Sequence, residues 1–199
     1  MKKSISILLI VIIVLVLIIG AAVHPFNQMV SKEETCNQAW SNVENVYQRR
    51  MDLIPNLVAT VQGAADFEKS TLEAVINARA KATAVNITAD NLTEESIAKF
   101  QAAQDELSSA ISRLLVSVER YPELTATQGF RDLQAQLEGI ENRIAVERNK
   151  YNETVQAFNS YIRSFPNNII AGICGFKSKG YFKASPGAEN SPSVEFNFN

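Results

Sequence analysis

From Gln38 onward, apolar residues return at alternating steps of three and four, the spacing that lines one face of an α-helix. The period-two alternation of strands has no comparable support. The clearest series is Ile97, Phe100, Gln104, Leu107, Ile111, Leu114, Val118 and Tyr121, with Gln104 its one polar member. It predicts a helix that Pro122 must end, because proline lacks the amide and disfavours helical angles in the residue before it. Asn91 or Thr93 is placed to cap its start, and Glu94 and Glu95 put negative charge at the positive end of the helix dipole.

A second series, Phe130, Leu133, Leu137, Ile140, Ile144, Glu147, Tyr151, Val155, Phe158, Ile162 and Phe165, stops at Pro166. It predicts a helix of roughly 35 to 40 residues, about 55 Å long, with Thr125 and Gln128 spaced as a capping box. A helix of that length is held by partners along its apolar stripe rather than by propensity. Between Met29 and Val85, the positions Tyr47, Met51, Ile54, Val58, Val61, Ala65, Glu68, Leu72, Val75 and Arg79 keep one helical phase. Pro55 interrupts that phase, and Gly63 followed by Asp66 reads as a stop and a new cap. The favoured reading has a kink at Pro55 and a turn at Gly63 to Asp66. The predicted fold is therefore all-α, an antiparallel up-and-down bundle of four long helices, with three helices and one kinked rod as the alternative.

The stretch from Ile5 to Val23 is apolar except for Ser6 and would span about 28 Å as a helix, one bilayer crossing. A cleaved signal peptide is the rival reading, since Lys2 and Lys3 form a basic start and Gly20, Ala21 and Ala22 are small; the run exceeds the usual length of roughly 7 to 15 apolar residues. Lys2 and Lys3 on one side, against Lys32, Glu33 and Glu34 on the other, place the amino terminus in the cytoplasm and the bundle outside it by the positive-inside rule. The domains read as a cytoplasmic stub and transmembrane helix at 1–24, a bundle at 25–176, and a Gly/Ser/Pro/Asn-rich tail at 177–199, mobile or extended. In that tail Val194, Phe196 and Phe198 alternate as a short strand would, while a disordered tail is the plainer reading.

Charge narrows the partners. The chain carries 19 basic and 21 acidic residues, a net charge of -2, and two of the basic ones precede the apolar run, so the remainder is more acidic still. Nucleic acid is excluded as a main partner on that balance. The single histidine, His24, stands beside Pro25 at the end of the apolar run, so a Glu-x-x-His two-iron site, a Ser-His-Asp triad and a histidine-based zinc site cannot be built. No phosphate-binding glycine loop is present. No cofactor is expected, and no catalytic constellation stands out. Cys36 and Cys174, the two cysteines, read as two partly buried free thiols or, alternatively, as one disulfide across the bundle.

Two polar groups interrupt the helical background. The first is Glu44, Asn45, Gln48, Arg49, Arg50, Asp52, Pro55 and Asn56; the second is Glu141, Asn142, Glu147, Arg148, Tyr151 and Asn152. Glu147 falls on the apolar stripe, and Arg50 lies beside its own. The two groups are expected to meet across the bundle as a partly buried Arg/Glu/Asn network that fixes helix register, because either charge buried unpaired costs several kcal/mol. Solvated surface pairs, worth at most about 1 kcal/mol each, are the alternative. A ligand face at Arg49, Arg50 and Asn56 is the other use of the same residues.

Four segments together resemble the LemA family: VENVYQRRMDLIPNLVATVQGAA at Val43 to Ala65, ERYPEL at Glu119 to Leu124, LEGIENRIAVERNKYNETVQAFN at Leu137 to Asn159, and FPNNIIAGICGF at Phe165 to Phe176. The resemblance implies a bacterial membrane-anchored helical bundle in the inner membrane, and it brings no assigned activity. It implies an envelope role, since genes of similar proteins often lie near those for membrane metallopeptidases or TPM-domain proteins. Similar proteins often carry His-Glu where this chain has Phe67-Glu68, so a histidine role at that place does not transfer. The expected function is a scaffold or interaction module that contacts the bilayer through residues 5–23, self-associates and meets an envelope protein. A membrane-tethered domain binding a ligand or envelope polymer is the alternative.

Overall fold

The computed structural model describes residues 2–63 and 67–183, without the side chains at 2–6, 8, 14, 15, 18, 19 and 21. The elements are α1 (Lys2–Gln62), α2 (Lys69–Ala84), a short 3-10 turn (Ala89–Asn91), α3 (Glu94–Val118), α4 (Pro122–Thr125), α5 (Gln128–Arg163) and α6 (Asn167–Cys174). No strand occurs among the described residues. Val194, Phe196 and Phe198 lie outside them.

The bundle is built from α1, α2, α3 and α5. Lys81 on α2 meets Glu106 on α3 at 2.6 Å, and Arg120 meets Glu68 at 3.7 Å, so α2 and α3 run antiparallel. Arg50 meets Glu141 while Phe26 meets Phe176 beyond the end of α5, so α1 and α5 run antiparallel as well. Two apolar clusters fill the interior end to end. Trp40, Tyr47, Phe100, Tyr151 and Phe158 anchor the one nearer the start of α1, and Ile54, Leu57, Val75, Leu107 and Leu114 anchor the other. Each such side chain, fully buried, contributes about 1.5 to 3 kcal/mol.

Helix starts follow local chemistry. Thr93 is the N-cap of α3, its hydroxyl accepting from the Ser96 amide at 3.2 Å while Ser96 Oγ accepts from the Thr93 amide at 3.0 Å. The start expected at Thr125 with Gln128 is displaced. Thr125 ends the single turn α4, its hydroxyl donating to the Pro122 carbonyl, and Thr127 caps α5 by accepting from the Phe130 amide at 3.3 Å.

Pro55 lies inside the helix, and α1 continues through it to Gln62. A proline at 55 leaves the Met51 carbonyl without its helical amide donor. Arg79 on α2 supplies the missing bond, Nε donating to Met51 O at 3.0 Å. The expected turn at Gly63 to Asp66 falls largely outside the described residues; helix ends at Gln62 before it and resumes at Lys69 after it.

Among the described residues, no helix is long and apolar enough to cross a membrane. The stretch 5–23 forms part of α1, and several of its side chains lie outside the description. Ile7, Leu9, Ile10, Val11, Ile12, Ile13, Val16, Leu17 and Val23 within it are exposed.

Candidate functional site

Arg50 lies where the two core clusters meet. Its phase on α1 points it inward, and only 1% of it is exposed. Nη1 donates to Glu141 Oε1 on α5 and to Ser108 Oγ on α3, both at 2.6 Å, and Nη2 donates to Gln104 Oε1 at 2.5 Å and to Gln104 O at 3.2 Å. The guanidinium also sits 5.0 Å from the Tyr47 ring centroid. One charged group thereby ties three helices at a fixed register, and the Glu141 carboxylate, 45% exposed, carries the counter-charge to the solvent edge.

The remaining members of the two polar groups divide among separate tasks. Glu147 is buried but pairs with Lys150 at 3.1 Å and Arg143 at 3.7 Å on its own helix, not with Arg50. Asn45, Arg49, Asp52 and Asn56 form an exposed stripe on α1, and Asp52 accepts from Gln48 at 2.8 Å. Arg49 and Arg50 differ by one helical step, about 100°, so Arg50 is buried while Arg49 and Asn56 face solvent. The three do not share a ligand face. Asn142 is exposed, and Glu44 lies on the wall of a cavity described below.

Arg148, Tyr151 and Asn152 serve a feature beyond the expected bundle end. Residues 177–183 run back along the bundle as an extended strap whose backbone is gripped by side-chain amides. Asn159 Nδ2 donates to Lys179 O at 2.8 Å while its Oδ1 accepts from the Lys179 amide at 2.9 Å. Asn152 repeats this with Phe182, both bonds at 2.9 Å, and Gln101 with Lys183, at 2.9 and 3.0 Å. Tyr151 donates its hydroxyl to Gly180 O at 3.1 Å, and the Gly180 amide donates to Leu92 O at 2.8 Å. Arg148 donates to Lys183 O at 2.8 Å and stacks over the Phe182 ring. Phe182 completes an aromatic cluster with Trp40, Phe100 and Tyr151. The grips at Gln101 and Asn159 were not anticipated from sequence: no motif holds Gln101, and Asn159 is only the last residue of the segment Leu137 to Asn159. The polar Gln104 inside an apolar stripe was the visible sign of the Arg50 network.

Burial pushes the Tyr47 and Tyr151 hydroxyls and the Cys36 thiol above their ordinary values. Both cysteines are free; Cys36 is buried and Cys174 is exposed on α6. The protein supplies no hydrogen-bond partner to Tyr47 Oη, Gln104 Nε2, Arg50 Nε or Trp40 Nε1. Tyr47 and Gln104 line a cavity of about 240 Å³ together with Glu44, Gln48, Thr83 and Asn86. A second hollow, about 510 Å³, lies between α1 and α5 along Asn45, Val46, Arg49, Gln136, Gly139, Ile140 and Arg143. Among the described residues, no three of His, Cys, Asp and Glu gather as a metal would require.

Fold and polar lock together define an antiparallel four-helix bundle with an apolar amino-terminal extension and a pinned carboxy-terminal strap. This chain belongs to the LemA family, whose profile matches residues 39–196. It is similar to Magnetosome protein MamQ 2 of Paramagnetospirillum magneticum, 27% identical over 181 residues covering 82% of this chain and 66% of that protein. Magnetosome protein MamQ of Magnetospirillum gryphiswaldense is 26% identical over the same shares. Protein LemA of Metamycoplasma hominis is 21% identical over 80% of this chain and 69% of its own length. The chain thus spans 66% of the length of the magnetosome relatives it matches.

Proposed function

We propose that this protein is a membrane-associated envelope protein whose bundle is a scaffold or interaction module rather than a catalyst. The observation that carries the reading is the continuity of α1: one helix joins the exposed apolar run at its start to the buried Arg50 lock in the bundle. Residues 5–23 insert in the bacterial inner membrane as a single span, with Lys2 and Lys3 on the cytoplasmic side and the bundle outside. Support for the span is the run's near-total lack of polar side chains.

The bundle self-associates and meets an envelope protein through its outer faces, where Ile76, Val116 and Val146 are exposed. A photoreactive group at Val116, in intact cells, tests this: adducts between copies support assembly, adducts to another protein name the partner, and a strict monomer in detergent at all concentrations contradicts self-association.

The second reading, an envelope-polymer or ligand domain, is favoured at one place. Arg49 and Arg143 put two guanidinium groups on the hollow between α1 and α5, a setting for a polyanion. Protection of residues 45–49 and 136–143 from hydrogen exchange by an anionic envelope fraction, lost in Arg49→Ala with Arg143→Ala, supports it; unchanged exchange contradicts it.

A further inference from the structure

We propose that α6 lies on the membrane surface, inserting Phe165, Ile169 and Ile173 at the boundary between lipid headgroups and acyl chains. The proposal rests on the reading that residues 5–23 enter the bilayer, and it adds a second contact with the same membrane.

The sequence of α6, NNIIAGIC, holds no charged residue. Its inward side is used: Ala171 is buried and Ile170 packs on the core. Its outward side is apolar as well, with Ile169 53% and Ile173 81% exposed, four residues apart and so on one face, and Phe165, just before the helix, 81% exposed. Aqueous solvent gives no reason for this grouping.

Height along α1 identifies what covers that face. Gly175, left-handed at φ 81°, ends α6 and lets the Phe176 amide reach Ala171 O at 3.0 Å. Phe176 then meets Phe26 of α1, ring centroids 5.7 Å apart, and Phe158 of α5 at 6.4 Å. Phe26 follows the last residue of the apolar run, Val23, by about 4.5 Å of helix rise. A headgroup layer is roughly 5 to 8 Å deep on each side of the hydrocarbon. The end of α6 therefore sits at headgroup depth, where a docked apolar helix face is covered by lipid. Arg163 and Lys177, both exposed and flanking α6, supply cations toward lipid phosphates.

Cys174, exposed on α6 while Cys36 is buried, is a native attachment point for a probe. The full chain is reconstituted in phosphatidylethanolamine and phosphatidylglycerol vesicles and labelled at Cys174 with a fluorophore. Nitroxide lipids then quench from the acyl-chain boundary and iodide from water. A control carries Cys174→Ser and Ser117→Cys, placing the label at the opposite end of the bundle. The proposal predicts strong nitroxide quenching and loss of iodide quenching at Cys174, with the reverse at position 117. Equal behaviour at both positions, in protein that carbonate leaves in the vesicles, overturns the α6 contact and spares the anchor. Release by carbonate overturns the anchor and the proposal together. Shielding from iodide without nitroxide quenching, growing with protein density, assigns the face to a second copy and overturns the lipid contact.

Discussion

Arg79 shows how a single side chain lets a proline stay in a long helix. Its Nε takes the Met51 carbonyl that Pro55 leaves without a donor. Arg79→Met is predicted to destabilise the bundle by about 1 to 3 kcal/mol, the cost of an unsatisfied buried acceptor. Adding Pro55→Ala restores an amide to that carbonyl, so the double variant recovers much of the loss in thermal unfolding; strictly additive effects would contradict the account. Two acidic positions of α5, Glu141 at the solvent edge and Glu147 buried, differ in the same concrete way. Glu141→Ala removes the counter-charge of Arg50 and is predicted to cost about 1.5 to 3 kcal/mol, the worth of a hydrogen bond to a charged group. Glu147→Leu loses only pairs with exposed cations of its own helix and is predicted to change stability by under about 1 kcal/mol in either direction. Denaturant titration of both variants separates the roles. Tyr151 gives a pH signature. Its folded pKa is raised above the unfolded value, through burial first and the neighbouring Cys36 second, so its contribution is whole below about pH 10 and is lost as pH rises beyond it. Tyr151→Phe is predicted to flatten the alkaline decline in melting temperature while lowering stability at pH 7 through the lost Gly180 bond.

At the scale of elements, periodicity made α3 and α5 legible because each has one apolar face and a clear stop. The 36-residue α5 falls in the length its stripe implied. Helix runs through Pro55 to Gln62, and the donor that makes this possible, on another helix, leaves no local trace in sequence. The capping box at Thr125 misled because α4 and Thr127 compete for the same few residues. The strap was illegible for another reason: an extended segment gripped by amides on α3 and α5 has no period of its own, and Gln101, Asn152 and Asn159 are ordinary helix-surface residues until the fold brings Lys179, Phe182 and Lys183 beside them. Of the candidate site, a cross-bundle network at Arg50 was legible and Gln104 stood out as polar in an apolar stripe. The stripe pointed to Glu147, whereas Glu141 is the carboxylate that meets Arg50. Ser108 and the partners of the strap emerge only in three dimensions. Gly180 is where the strap is most exacting. A Cβ there would stand 2.6 Å from Glu94 Cα and 2.7 Å from Glu94 N, both backbone atoms at the start of α3. Gly180→Ala is predicted to cost about 1 to 3 kcal/mol, as overpacking does, and to remove hydrogen-exchange protection from residues 179–183; unchanged protection would contradict the strap.

For the whole molecule, α1 joins the apolar run to the bundle. The Arg50 lock and the strap make the bundle a rigid body. An unbroken helix carries that body from the apolar run, and the exposed face of α6 lies at the height where the run ends. Scaffold, polymer-binding and lipid-contact readings all depend on the chain being held in a bilayer by residues 5–23. The most direct test is carbonate extraction of membranes from cells making the full chain or a version lacking residues 2–23. The account predicts the full chain in the membrane pellet and the shortened one released with intact helical circular dichroism. Release of the full chain would contradict it.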